Sequence, residues 1–321
     1  MDVIKGFDRI KTITAEFNRL NKEYSFRFAF TTLLFWISFY LHFDRGFQYF
    51  KKIKQKEIAK LIESFFPDII KKYINRPESS QRVDDLKIWV FWAQGKKNMP
   101  LVVDKCLKQL EKIEGDKVIT ITLDNIKDYV DLPVYIYTKL YNKSLSYAHF
   151  SDILRNALIS KYGGIWYDAT CWITSTFPEK FMTYPFFSPK NDTNNTLLAV
   201  YAMGSCLKNS VTFSFVRDIL YAMAEKNKVW PDYLFQDYIF LYANKNINAS
   251  REAFKKLPDN NEGRFKLNSL MNKPYNKYIY EELIEKNWIF KLSYKRRYQR
   301  FSKGMPTFFN ELISNSDEAD N

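Results

Sequence analysis

Residues 151–170 contain three charged side chains whose types and spacing suit the binding of a sugar nucleotide. Asp152 and Arg155 are three residues apart, so on a helix they lie on the same face. Asp168 follows a short apolar run. Carboxylates and a guanidinium can fix sugar hydroxyls, and a diphosphate needs compensating positive charge from a metal, Lys or Arg. These side chains could therefore serve the sugar and the phosphates.

A helix and a strand are predicted to position these groups. Ser151 is typical of a helix N-cap, and the helix dipole would favour Asp152 in the first turn. The pair Gly163-Gly164 is expected to end the helix. Residues 165–167 then predict a strand with Asp168 at its carboxyl end. An α/β sheet presents ligand-binding groups at such positions.

The preceding residues predict a βαβ unit. Residues 87–92 and 118–123 are short runs rich in β-forming side chains. Between them, residues 100–112 have apolar side chains at helical spacing after an initial proline. A strand, helix and strand of these lengths imply a parallel sheet, which binds nucleotides at the carboxyl ends of its strands. The fold class is therefore predicted to be α/β.

Residues 1–80 are predicted to be helical. The stretch 28–43 is apolar except for Thr, Ser and His, but its 16 residues fall short of the roughly 20 that a spanning helix needs. Four lysines lie within 51–56, and Lys60 follows. An aromatic helix beside lysines fits an interfacial anchor on anionic lipid. A helix packed on the catalytic domain fits the pattern equally well.

Composition narrows the class of protein. The chain has 321 residues, of which 46% are hydrophobic, so it can bury a core. Its net charge of +13 favours nucleic acid, anionic lipid or phosphorylated substrates without choosing among them. Cys106, Cys171 and Cys206 form no CxxC pair, which fits a reducing compartment. With only His42 and His149 present, electrostatic and acid–base work falls to carboxylates, Arg and Lys.

Two sequence blocks are specific enough to suggest a family. They are Ser-Asp-Ile-Leu-Arg at 151–155 and Lys-Tyr-Gly-Gly-Ile-Trp-Tyr-Asp-Ala-Thr at 161–170. Further similarity lies at 88–95 with 99–100, at 131–133 and at 291–295. Together these segments resemble the capsular polysaccharide synthesis glycosyltransferases of glycosyltransferase family 32, which are related to the DxD sugar transferases. The resemblance covers residues 86–296.

The resemblance implies a GT-A-like, Rossmann-type nucleotide-binding sheet with an N-terminal helical extension and a C-terminal basic helical segment. We expect a helical region at 1–80, a GT-A catalytic core at 81–255, and a segment at 256–321 that completes the site and ends in a frayed tail. The implied activity is retaining transfer from a nucleotide-sugar, expected to be a UDP-sugar, to a lipid-linked saccharide in bacterial capsule synthesis. The expected location is the cytoplasmic side of the cell membrane, as a peripheral protein on its anionic surface.

The family pattern also implies roles for single residues. Asp152 and Arg155 would hold the donor sugar, and Asp168 would contact the ribose and the metal region. These three are the predicted catalytic residues. The other predicted substrate-binding residues are Trp92, Gln94, Gly95, Asp237, Lys291 and Lys295.

The predicted metal site departs from the DxD pattern. The triplet at 168–170 is Asp-Ala-Thr, so a neutral threonine replaces the second aspartate. Mn²⁺ or Mg²⁺ could still be held by Asp168 and Thr170 together with the diphosphate and waters. Alternatively, the basic residues at 291–296 could neutralise the leaving diphosphate.

Three other functions fit parts of the sequence. A hexose-1-phosphate transferase of capsule synthesis would use the same donor but release a nucleoside monophosphate. A non-enzymatic protein that binds nucleic acid or anionic membrane would explain the net charge of +13. A transferase fold without activity would explain the missing second aspartate. In the main interpretation the partners are the nucleotide-sugar, a lipid-diphosphate-linked acceptor and the membrane surface, with no nucleic acid.

Overall fold

The computed structural model describes residues 2–190, 198–226 and 228–314. The α-helices are α1 (Asp2–Glu23), α2 (Phe26–Tyr40), α3 (Asp44–Phe65), α4 (Pro67–Tyr73), α5 (Leu101–Glu114), α6 (Ile126–Tyr129), α7 (Val134–Tyr141), α8 (Tyr147–Tyr162), α9 (Val211–Glu225), α10 (Phe235–Asn246), α11 (Asn248–Lys256), α12 (Lys266–Leu270) and α13 (Lys277–Lys286). The strands are β1 (Ile88–Phe91), β2 (Val118–Ile121), β3 (Gly164–Tyr167), β4 (Cys171–Ile173), β5 (Ala202–Ser205), β6 (Ile289–Lys291), β7 (Phe301–Ser302) and β8 (Met305–Pro306). Most of the described regular structure is therefore helical, and the strands are short, with two to four residues each.

The central sheet has the strand order β2-β1-β3-β5. Strand β1 pairs in parallel with both β2 and β3, whereas β5 runs antiparallel to β3. All four residues of β1 are buried, as expected for a sheet covered on both faces. The predicted βαβ unit and the predicted strand before Asp168 are confirmed. The antiparallel β5 makes the α/β sheet mixed.

Two glycines bring helix α8 directly into strand β3. Gly163 and Gly164 have φ angles of 68° and 85°, in the left-handed region that favours glycine. A Cβ atom at Gly164 would also collide with the carbonyl oxygen of Lys87, next to β1. The predicted end of the helix is confirmed, and the tight connection fixes α8 relative to Asp168.

Helix α8 begins earlier than predicted, so the prediction that Ser151 caps it was wrong. The N-cap is Ser146, whose hydroxyl accepts a hydrogen bond from the backbone N–H of His149 at 3.2 Å. Buried Phe150 extends the apolar face of the helix toward its N-terminus. Asp152 consequently lies in the second turn rather than the first, where the helix dipole acts less strongly on it.

The basic segment near the C-terminus was predicted to be helical, and this prediction was also wrong. Its first residue, Lys291, ends strand β6, which pairs antiparallel with β4. The residues that follow, 292–300, form turns and irregular structure. Apolar Ile289 and Phe290 are both buried, which favours a strand over a solvated helix here. The tail that was expected to fray lies largely outside the described residues, at 315–321.

Helices α1 to α4 lie between residues 2 and 73, within the region 1–80 that the sequence predicts to be helical. Helix α2 packs between neighbours through Phe28 and Ala29, while Phe26 and Phe30 remain exposed. The buried ammonium of Lys54 on α3 pairs with Asp232, which ties the N-terminal helices to the loop before α10. Among the described residues, none of the helices combines the length and apolar character that a bilayer-spanning segment needs.

Candidate functional site

A cleft of about 440 Å³ opens where strands β1 and β3 end. Its walls come from the carboxyl ends of these strands, from α8, from the start of α10 and from the end of β6. The cleft brings together nearly all residues that the sequence singled out. Those that line it are Trp92, Gln94, Asp152, Arg155, Asp168, Thr170, Asp237, Lys291 and Lys295. Gly95 does not line the cleft; it follows Gln94 in the turn after β1, with a φ angle of 77°.

Arg155 joins the helix to the strand end. It is only 5% exposed. Its Nη1 donates to the carbonyl of Val200 at 2.8 Å, and its Nη2 donates to Asp168 Oδ1 at 3.1 Å. Asp152 Oδ1 lies 3.5 Å from the same Nη2. The predicted helical pair therefore forms, and its guanidinium also bonds the strand-end carboxylate.

Asp168 is surrounded by donors. Its Oδ1 accepts from Arg155 and, at 2.9 Å, from Trp166 Nε1, while its Oδ2 accepts from Lys291 Nζ at 2.7 Å. Burial would raise the pKa of Asp168, but the charges of Lys291 and Arg155 outweigh burial and lower it. Burial by itself would lower the pKa of Lys291, but the charge of Asp168, the nearby Cys171 and the hydrogen bond to Asp168 together raise it above its ordinary value. Both groups are therefore ionised at neutral pH.

The pKa values of two further carboxyl groups in the cleft are raised rather than lowered. Burial raises the pKa of Asp152 to about 7; the charge of Arg155 opposes this rise, and that of Asp168 adds to it. Burial, reinforced by the charge of Asp152, also raises the pKa of Asp237 well above its usual range. The cleft thus combines one fixed carboxylate with carboxyl groups that can hold a proton, which suits hydrogen bonding to several hydroxyls.

The raised pKa of Asp152 predicts a pH dependence of stability. Between its ordinary value of 3.8 and about 7, the folded chain holds a proton that the unfolded chain has released. The contribution of Asp152 to the unfolding free energy is therefore fully present below pH 3.8, and it is lost as the pH rises from there through about 7. Relative to Asp152→Asn, the wild type should lose about 1–3 kcal/mol of unfolding free energy between pH 5 and pH 8. Urea unfolding of both proteins at the two pH values measures this difference, and parallel pH dependences would contradict the prediction.

Aromatic side chains form part of the cleft wall, and sequence reasoning identified only one of them. Trp92 meets Tyr294 edge to face, with ring centroids 5.5 Å apart. Tyr147, Tyr233 and Trp166 also line the cleft. Trp166 lies on β3 two residues before Asp168, and side chains two apart in an extended chain point to the same side, so strand periodicity could have identified it. Tyr147 is the first residue of α8 and Tyr233 lies in the loop before α10, so no periodic pattern in the sequence marks either of them. Such rings suit the apolar faces of sugars and bases.

A second cavity is larger, about 850 Å³, but it differs in chemistry. It lies between α3 and α10–α11. Among the residues that the structure describes, its charged lining is mostly lysine, with Glu63 as the one carboxylate. It shares no lining residue with the cleft at the strand ends. The smaller cleft combines carboxylates, cations and aromatic rings, so we assign the candidate site there.

The fold and the cleft together define an α/β protein whose candidate site lies at the carboxyl ends of strands in a mixed sheet. The family model described as "Capsular polysaccharide synthesis protein" matches residues 40–312, and the chain belongs to this family. The resemblance in the sequence is thereby confirmed at the level of this family.

No curated protein matches the sequence. A solved structure entitled "PaToxG Glycosyltransferase" is similar to 74% of this chain and 99% of that chain, at 17% sequence identity and a TM-score of 0.32.

Proposed function

We propose that this protein is a retaining glycosyltransferase that moves a sugar from a nucleotide-sugar to a saccharide on a lipid diphosphate during capsule synthesis. One observation carries the proposal: ionised Asp168, Arg155 and Lys291 meet the protonatable carboxyl groups of Asp152 and Asp237 in one cleft at the strand ends. Membership of the capsular polysaccharide synthesis family supports it. In this proposal, residues 81–255 form a GT-A-like core, and the segment from 256 onward contributes Lys291.

Each part of a UDP-sugar has a counterpart in the cleft. Trp92 and Gln94, which follow the end of β1, would face the base. Asp152 and Arg155 would hold hydroxyls of the donor sugar, since a carboxyl group and a guanidinium offer acceptors and donors side by side. Asp168 would bond the ribose. Lys291 and Lys295 would face the diphosphate, where positive charge stabilises the leaving group.

The proposed reaction exchanges one bond at the anomeric carbon for another. The bond to the phosphate oxygen breaks, and the nucleoside diphosphate leaves with the electron pair. The acceptor oxygen attacks from the same face, so the anomeric configuration is retained, and its proton passes to the leaving diphosphate. A glycosyl group trapped covalently on Asp152 or Asp237 would contradict same-face attack.

A screen of nucleotide-sugars tests the proposal. The melting temperature and the release of nucleoside diphosphate are measured with Mn²⁺, with Mg²⁺ and with EDTA. A UDP-sugar at 100 times its Kd should stabilise the fold by about 2.7 kcal/mol. Release of UMP instead of UDP would identify the hexose-1-phosphate transferase. Salt-dependent binding of duplex DNA, with no response to any nucleotide-sugar, would favour the nucleic-acid-binding function.

We further propose that the protein docks on the cytoplasmic, anionic face of the membrane through helix α2. Phe26, Phe30, Ile37 and Leu41 follow helical spacing along one side of α2 and its C-cap, and all four are exposed. Leu41 is 72% exposed. Exposed Arg45 just beyond this stripe complements anionic headgroups.

Vesicle flotation measures this docking. The wild type should float with vesicles that contain phosphatidylglycerol and less with pure phosphatidylcholine. The variant Phe26→Ser/Phe30→Ser/Ile37→Ser/Leu41→Ser should stay in the soluble fraction, because it loses the apolar surface that inserts among lipids. A control with Val134→Ser and Tyr141→Ser changes exposed residues on α7 and should float like the wild type. Equal flotation of all three proteins, or a stripe buried in a dimer in solution, would contradict docking.

A further inference from the structure

The position between Asp168 and Thr170 is taken by a cation of the chain itself. Lys291 Nζ donates to Asp168 Oδ2 at 2.7 Å and to Thr170 Oγ1 at 2.8 Å. These residues are the first and third of the triplet from which the sequence predicted Mn²⁺ or Mg²⁺ ligands. An ammonium within hydrogen-bond distance of both oxygens lies where a bound ion would have to contact them.

The surrounding donor set does not fit a divalent cation. Mg²⁺ prefers carboxylate and water oxygens in near-octahedral geometry. Asp168 Oδ2 already accepts from Lys291, and Oδ1 accepts from Arg155 and Trp166. In the described residues, no three or more His, Cys, Asp or Glu side chains are grouped so as to hold a metal ion. A divalent ion at Asp168 would also meet the like charges of Lys291 and Arg155.

Backbone interactions of Lys291 fix the position from which its side chain reaches Asp168. In the β4–β6 pair, Lys291 lies opposite Cys171, and its N–H donates to the carbonyl of Arg264 at 2.9 Å. The Nζ atom lies 5.5 Å from the ring centroid of Tyr201. Its place beside Asp168 therefore follows from strand register rather than from a flexible surface side chain.

The ammonium keeps capacity for a ligand. An ammonium has three N–H donors, and Asp168 and Thr170 accept from two of them. The side chain of Lys291 is 25% exposed, and it lines the cleft together with Lys295. Within the part of the chain that the structure describes, the third donor has no acceptor, so it is available to a phosphate oxygen that enters the cleft.

We infer that Lys291, rather than a divalent cation, meets the diphosphate of the donor, and that nucleotide binding is independent of metal. This inference rests on the proposed function. Lys291 donates a hydrogen bond to a non-bridging phosphate oxygen and keeps its proton throughout, while the charge that develops on the leaving diphosphate is stabilised by the ammonium. Asp168 holds the ammonium in place.

Calorimetric titration of UDP tests the inference without turnover. For the wild type, the Kd in EDTA should equal the Kd in Mn²⁺ or Mg²⁺ within about twofold, whereas Lys291→Met should weaken binding in EDTA by about 10–100-fold. Lys286→Met removes an exposed lysine at the end of α13 and should bind as the wild type does. Lys291→Arg keeps the charge and should retain most of the affinity in EDTA.

A double variant makes the test sharper. Thr170→Asp/Lys291→Met removes the ammonium and supplies the second carboxylate of a DxD triplet, so it should bind UDP only when Mn²⁺ is present. Electron paramagnetic resonance of Mn²⁺ should then detect bound ion in this variant and none in the wild type. Circular dichroism checks that each variant is folded. If a variant does not fold, the comparison of wild-type UDP binding with and without metal still tests whether binding is independent of metal.

Two results would overturn the inference while leaving the proposed function intact. They are wild-type binding of UDP that requires Mn²⁺ or Mg²⁺, and unchanged binding by folded Lys291→Met in EDTA. Absence of binding by UDP and by every nucleotide-sugar of the screen, with and without metal, would overturn both the inference and the proposed function.

Discussion

Replacement of Asp168 by asparagine is expected to lower kcat/KM for sugar transfer by at least about 10²–10³-fold. The neutral amide cannot balance Arg155 and Lys291, which donate to the two oxygens of Asp168 at 3.1 Å and 2.7 Å. The amide nitrogen would also face donors where the carboxylate accepts. Both cations should then shift away from the sugar and the diphosphate. Release of nucleoside diphosphate in the presence of acceptor measures the effect.

Asp116→Asn is the matched control for this variant. Asp116 is exposed in the turn before β2, at the amino end of the sheet and therefore opposite the cleft. It should leave both turnover and melting temperature unchanged. Turnover by Asp168→Asn that equals that of Asp116→Asn would remove Asp168 from the site.

Arg155→Ala should have the larger effect of the two substitutions. The buried guanidinium pairs with Asp168 and donates to the carbonyl of Val200, so its removal takes one donor and one positive charge from Asp168 and leaves the Val200 carbonyl without this donor. Breaking such a buried pair costs about 3–5 kcal/mol of stability. We expect loss of detectable transfer together with a lower melting temperature.

Arg155→Lys separates the role in binding from the role in folding. Lysine keeps the charge but cannot bond Val200 and Asp168 from one planar fork. It should recover most of the melting temperature and still lower kcat/KM by about 10²-fold. If Arg155→Lys transfers sugar at the wild-type rate, the geometry of the guanidinium plays no part in the reaction.

The part of the site that the sequence predicted well is local in the chain. Helix α8, the glycine pair and strand β3 follow one another without a loop, so Arg155 and Asp168 could be brought together from spacing alone. The start of α8 was missed because Ser146 and Ser151 are both suitable caps, and only the burial of Phe150 distinguishes them. Local signals therefore predicted the elements but not their bounds.

The pairing of strands that are distant in the chain could not be predicted from the sequence, because it depends on tertiary packing rather than on local signals. Strand β5 is Ala-Met-Gly-Ser, without β-branched residues, and its place is set by Gly204, where a side chain would collide with the backbone of Gly164. The pairing of β4 with β6 likewise depends on packing between distant segments. Lys291 was expected near the phosphates, but its bond to Thr170 follows only from that register.

The bond between Lys291 and Asp168 joins residues 123 positions apart. A chain emerging from the ribosome therefore presents the strand-end carboxylate long before the strand with its ammonium has been synthesised. Domains fold progressively as they are made, so during this interval Asp168 has Arg155 as a partner but lacks Lys291. Under the proposed function, competence to bind the donor therefore requires synthesis through β6, and a polypeptide that ends before β6 lacks the ammonium of Lys291.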